Sequence, residues 1–216
     1  GLCPFADDPV EAATQALRER VRAQPLAIES LLKALSAWHF SQGSGRREPL
    51  VVALTGSTGT GKTETAWVLA DALLKKRCRI SGGTSDIPRG LIVFNGGDYM
   101  VSSKVEEYQK QIRRKLGERL QYCEGNVVVL FDELQKAAPG TLDALTESMS
   151  EHPRVTFEDG RESISVDSSR VIFLLVSDVG AEGVNAAVLR YRNRSDVVAG
   201  TLQAAVKKAL DEQWER

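Results

Sequence analysis

Four short apolar runs punctuate the chain: LVVAL at 50–54, LIVFN at 91–95, VVVLFDE at 127–133 and RVIFLLVSD at 170–178. Their cores are apolar throughout and rich in valine, the pattern of strands buried on both faces. Between them the period changes. Ile28, Leu31, Leu32 and Leu35 recur at helical spacing behind Pro25, and Ala66, Leu69, Ala70, Leu73 and Leu74 mark one face of another helix. Val105, Tyr108, Ile112 and Leu116 do the same in a highly charged stretch. Asp8-Pro9 supplies a capping acid and a first-turn proline for a helix over 10–22.

Pro139-Gly140 precedes a predicted helix at 141–149, and RVTFEDGRESISV at 154–166 alternates like a hairpin turning at Gly160. The segments 41–49 and 78–90 read as loops, the latter a polar, glycine-rich insertion that is expected to be mobile. Thr201 to Trp214 is amphipathic. Strands alternating with helices, each strand apolar throughout, imply a parallel sheet covered on both faces.

Composition adds bounds. The 216 residues are 42% hydrophobic and 26% charged, which fits one globular domain with a real core. Twenty-eight basic residues against 29 acidic leave a formal charge of −1, which argues against a dedicated nucleic-acid binder. No run reaches membrane-spanning length and no signal-peptide pattern is visible. The chain opens at Gly1 rather than Met, so it reads as processed or truncated. Cys3, Cys78 and Cys123 are odd in number and form no CxxC pair, so the reading is of inert thiols.

GSTGTGKT, residues 56–63, sits between the first predicted strand and a helix. Gly56-x-x-x-x-Gly61-Lys62-Thr63 is the P-loop pattern. Its glycines let successive backbone N–H groups of Gly56, Ser57, Thr58, Gly59, Thr60 and Gly61 turn toward phosphate oxygens. The following helix directs its positive end there. Lys62 brings a full charge to the β- and γ-phosphates, and Thr63 brings a hydroxyl to Mg²⁺. Thr65, one turn on, is a further candidate contact. An ordinary glycine-rich turn has no need of Lys-Thr at this position.

Asp132 and Glu133 end the third run at the edge where ligands of open parallel sheets bind. Strand ends are often acidic, but downstream of a P-loop the pair has specific work. Asp132 would hold the hydrated metal, and Glu133 would orient an attacking water. A kinase or small GTPase has no need of that second acid, so Glu133 favours ATP hydrolysis.

With these motifs the chain resembles the large α/β subdomain of AAA+ ATPases, in the branch holding Clp-type disaggregases and torsins. DELQKAAPGTLDAL (132–145) and the hairpin before the fourth strand carry that likeness. FLLVSDVGAEGV (173–184) and the tail AAVLRYRNRSDVVAGTLQAAVKKAL resemble torsins in particular. The interval between the second strand and Asp132 lacks the Gly-Tyr-Val-Gly pore loop of Clp-type unfoldases. The resemblance implies a three-layer α/β P-loop NTPase fold with a central parallel sheet, filling 1–216. Residues 1–20 would be a helical extension, and 201–216 a helix leading toward a small helical lid that is absent.

It also implies ATP/ADP and Mg²⁺ as cofactors, a protein client, and a membrane-anchored activator that donates an arginine. A homo- or hetero-oligomer is expected, with no nucleic acid and no membrane span. The compartment implied is the endoplasmic-reticulum lumen or nuclear envelope, or the cytoplasm if the torsin likeness fails. The sequon Asn193-Arg194-Ser195 fits the lumen. Val21, Ala23 and Gln24 stand where the family contacts adenine.

Two positions depart from the torsin pattern. Thr63 replaces Asn, and Asp178 stands where sensor 1 offers Asn. A carboxylate only accepts hydrogen bonds and would repel a γ-phosphate, which leaves open an ATP-holding module with little hydrolysis; Ser177 is a substitute donor. A Clp-type unfoldase remains the third reading, with Tyr99 or Tyr108 as its pore aromatic. Arg190, Arg192 and Arg194 read as a solvated or subunit-contact surface. Lys75, Lys76, Arg77 and Arg79 read as a basic run at a helix C-terminus. Trp38, Trp67 and Trp214 read as packing residues.

Overall fold

The computed structural model describes residues 3–21, 25–45, 47–55, 61–75, 77–79 and 86–178. Two helices open the chain, α1 (Pro9–Arg20) and α2 (Pro25–Gly43). As expected, the Asp8 carboxylate caps α1, accepting from the N–H groups of Val10 and Glu11. Strand β1 (Leu50–Thr55) leads to α3 (Lys62–Leu73). The polar insertion is not all loop. Its ends form an antiparallel pair, β2 (Arg77–Arg79) and β3 (Asp86–Pro88). Then come β4 (Leu91–Asn95), α4 (Val105–Tyr122) and β5 (Val128–Asp132). The hairpin β6 (Arg154–Asp159) and β7 (Glu162–Asp167) turns through Gly160 as predicted, and β8 (Ile172–Ser177) follows.

The four apolar runs pair into one parallel sheet of order β1-β8-β5-β4. Period-two alternation divides their side chains between two cores. Val51, Ile92, Phe94, Val129, Phe131, Phe173 and Leu175 face α4 and the hairpin. Leu50, Val52, Leu54, Leu91, Leu130, Leu174 and Val176 face α1, α2 and α3. This is the three-layer α/β arrangement of a P-loop AAA+ large subdomain, as the sequence implied.

Other expectations change as well. Residues 141–149 form 3-10 turns, Thr141–Leu145 and Glu147–Met149, rather than an α-helix. The hydroxyls of Thr146, Ser148 and Ser150 each donate to the carbonyl three residues back. Such local bonds compete with the i→i−4 ladder.

The cysteines are not all inert thiols: Cys3 and Cys123 form a disulfide across a separation of 120 residues. The N-terminal segment is laid against α3 by Ala6 N–H to Leu73 O (2.8 Å) and by a Phe5–Leu74 bridge, and the same path delivers Cys3 to the end of α4. Sequence spacing carries no trace of that path.

Of the basic run, Lys75 is paired with Asp7, and Lys76 lies outside the described residues. Of the tryptophans, Trp38 packs edge-on against Phe5 in the core, whereas Trp67 is 38% exposed. Trp214, the arginines at 190–194, the sequon and the 201–216 helix lie outside the described residues.

Candidate functional site

Parallel register brings the strands' carboxyl ends to one edge. Thr55 lies opposite Ser177, and Asn95 lies opposite Asp132. Helix α3 begins at this edge, with Lys62 as its first residue after Gly61 in the left-handed region (φ 79°). Residues 56–60, which hold Gly56, Ser57, Thr58, Gly59 and Thr60, lie outside the described residues, as do Ala23 and Gln24. What is described is the loop's end and the groups facing it.

Thr63 Oγ1 donates to Asp132 Oδ1 at 3.2 Å, so the predicted hydroxyl and carboxylate for the metal are together. Asp132 Oδ1 also accepts from the Glu133 N–H at 2.8 Å. Among the described residues no cluster of three or more His, Cys, Asp or Glu side chains forms a cage. A hydroxyl plus one carboxylate matches a magnesium site completed by phosphate and water rather than an all-protein cage.

Lys62 is 8% exposed, and its Nζ lies 3.1 Å from Asp178 Oδ1. Asp178, just past β8, is held in turn by Gln135. The Gln135 Oε1 accepts from the Asp178 N–H (3.1 Å) and from Ser177 Oγ (3.4 Å), and its Nε2 reaches Asp178 Oδ2 at 3.5 Å. The expected substitute donor, Ser177, is therefore turned toward Gln135 and is buried.

Glu133 sits where β5 ends, in the left-handed region at φ 49° and ψ 43°. A non-glycine residue there is sparsely populated and depends on its surroundings. Those surroundings are tight: a Cβ on Gly96 would lie 2.1 Å from the Glu133 carbonyl oxygen. The Glu133 carboxylate pairs with Lys136 Nζ at 2.7 Å. That hydrogen bond is the main cause holding its carboxyl below the ordinary glutamate range, opposed by burial and helped by a further hydrogen bond from the Asn95 side chain. Asn95 is itself fixed, its Oδ1 accepting from the Gly97 N–H at 2.8 Å.

The structure thus gathers Lys62, Thr63, Asp132, Glu133 and Asp178 and adds Asn95, Gly96, Gln135 and Lys136, which the sequence reading passed over. The end of the LIVFN run, level with Asp132 across the sheet, was the available signal. The Thr65 hydroxyl donates to the Gly61 carbonyl at 2.8 Å inside α3's first turn. Val21 is in the core cluster with Leu17 and Trp38. Tyr99 and Tyr108 are 4% and 8% exposed and stack edge-to-face at 5.2 Å, so neither is presented to a threaded polypeptide.

The torsin family model matches residues 3–131, the stretch from the disulfide's first cysteine to Phe131 in β5. The chain belongs to the torsin family. It is 25% identical over 204 residues to a torsin-like protein of Drosophila melanogaster, covering 93% of this chain and 55% of that protein. Identity with mouse Torsin-3A is 29% over 174 residues, 80% of this chain and 40% of the relative. Chaperone protein ClpB of Yersinia enterocolitica is 30% identical over 179 residues, 78% of this chain but 18% of its own length. The chain thus spans about half or less of these proteins' lengths. Torsin membership makes it a relative of AAA+ ATPases and implies a nucleotide site. No helix among the described residues is long and apolar enough to cross a membrane.

Proposed function

We propose that this torsin binds Mg-ATP at the edge formed by β1, β8, β5 and α3, and hydrolyses it while acting on a protein client. The Thr63–Asp132 contact carries this reading, since it joins a P-loop hydroxyl to the carboxylate that ends β5 at a metal's expected place. Gly56 to Gly61 would cradle the phosphates, Lys62 would neutralise them, Thr63 and Asp132 would hold Mg²⁺, and Glu133 would orient water. Gln24 is kept as an adenine contact, and the whole chain as one large subdomain.

Turnover would depend on another subunit or an activator that supplies an arginine, as the torsin resemblance implies. The Cys3–Cys123 disulfide supports an oxidising compartment such as the endoplasmic-reticulum lumen. Burial of Tyr99 and Tyr108 removes support from a Clp-type unfoldase. The ion pairs on Lys62 and Glu133 favour a second reading, a chain that holds ATP and turns it over slowly until a partner acts.

The test is nucleotide binding and phosphate release, with and without Mg²⁺, for the wild type, Thr63→Val and Glu133→Gln. Thr63→Val should lose most of the magnesium-dependent affinity. Glu133→Gln should keep ATP bound and cut turnover by about 100-fold or more, the range of general-base losses. Wild-type chain that binds no ATP in magnesium would refute the reading. Bound ATP with equal, negligible release in wild type and Glu133→Gln would favour the holding module.

A further inference from the structure

Lys62 is the most enclosed cation of the site, its side chain 7% exposed, and it faces a carboxylate rather than solvent. An ammonium so enclosed needs an anion nearby, because burial without a partner is costly. Asp178 supplies that anion, and the amide side chain of Gln135 grips Asp178 at both its backbone N–H and its carboxylate. A phosphate oxygen and a carboxylate oxygen make the same kind of contact with an ammonium. The two anions would draw on the same ammonium and would repel each other when both lie against it.

We propose that Asp178 is a built-in competitor for the nucleotide's phosphates, paired with Lys62 while the site is empty and displaced when phosphate arrives. Gln135 is its positioning residue, keeping the carboxylate aimed at Lys62 rather than at solvent. The proposal rests on the reading that this edge holds ATP, and it adds a regulation of that site. Competition lowers affinity for ATP and ADP alike, since the β-phosphate that Lys62 would meet is common to both. As ADP departs, Asp178 returns to Lys62, so the competitor hastens product release. An amide in place of Asp178 cannot offer a charge and would compete less with the phosphates for Lys62.

The experiment uses the full chain as wild type, Asp178→Asn, Lys62→Gln, the double variant and Gln135→Ala. Mg-ATP and Mg-ADP affinities are measured by displacement of a fluorescent nucleotide, and thermal unfolding is measured without nucleotide. Asp178→Asn should tighten both nucleotides by roughly three- to fivefold, the scale of one partly exposed ion pair. Gln135→Ala should tighten both by less. Without nucleotide, the Asp178 and Lys62 substitutions should be non-additive, because each removes the same pair.

A gain confined to ATP would mean simple repulsion at the third phosphate and would overturn the proposal. So would unchanged or weaker affinity in Asp178→Asn, or full additivity in the nucleotide-free chain. Lys62→Gln that binds like the wild type would instead refute the underlying assignment of the phosphate site, a distinct outcome.

Discussion

The Lys136 ammonium lies 2.7 Å from Glu133 Oε1, so the acid proposed to orient water is held by a cation three residues along its own chain. The two depend on each other: the Glu133 hydrogen bond raises the Lys136 pKa, and the Lys136 hydrogen bond lowers that of Glu133. Glu133 therefore stays ionised at neutral pH but is turned toward Lys136. Replacing Lys136 with Met should free the carboxylate for water and raise ATP turnover by roughly two- to fivefold, the scale of an exposed pair. Nucleotide affinity should not move. Steady-state phosphate release at saturating ATP reads this directly. A fall in turnover would show instead that Lys136 itself assists the chemistry.

The disulfide makes a prediction that needs no nucleotide. Unfolded without reductant, the chain should expose one titratable thiol, that of Cys78, and three after reduction, because Cys3 and Cys123 are joined. Replacing both with Ser should cost about 2–5 kcal/mol of stability, the usual range for removing a native bridge. Denaturant unfolding of the oxidised, reduced and double-Ser chains checks it. Equal midpoints for all three would mean the bridge contributes nothing.

The strands were legible because each is buried on both faces: continuous apolar runs admit few other structures, and LIVFN became β4 residue for residue. Their order in the sheet then carried Asp132 and Asp178 to the α3 N-terminus. What stayed hidden depends on contacts across the sheet or between distant segments. Asn95 is one more polar residue at a strand end until register sets it opposite Asp132. Gln135 is one residue of the stretch 132–145 with no role of its own until β8 lies beside it. The 141–149 segment has helical spacing, but its hydroxyls divert the backbone into 3-10 turns.

Gly117 illustrates the same point within the core. It lies in α4, where glycine is a poor helix former, yet a Cβ there would meet the Phe157 ring of β6 at 2.1 Å. The hairpin docks against α4 only because that surface is bare. Gly117→Ala should lose about 1–3 kcal/mol through overpacking, despite its better helix propensity. Phe157→Leu should recover part of the loss in the double variant, a coupling that thermal unfolding of all four chains would reveal. Additive losses would place the clash elsewhere.

The same geometry at Gly96 touches the chemistry. A Cβ there would press on the Glu133 carbonyl oxygen at 2.1 Å and its carbon at 2.9 Å, both backbone atoms that cannot rotate aside. Glu133 already holds a left-handed backbone, so a shift forced at its carbonyl would swing the side chain away from the edge. Lys62, Thr63 and Asp132 are fixed by α3 and β5 and need not follow. Gly96→Ala should therefore retain nucleotide affinity within about twofold and lose turnover by roughly 10- to 100-fold, the cost of misplacing a catalytic group by an ångström or so. Nucleotide titration and phosphate release on the same preparation separate the two effects. A parallel loss of affinity would mean that the whole edge moved, and that Gly96 supports the fold rather than the placement of Glu133.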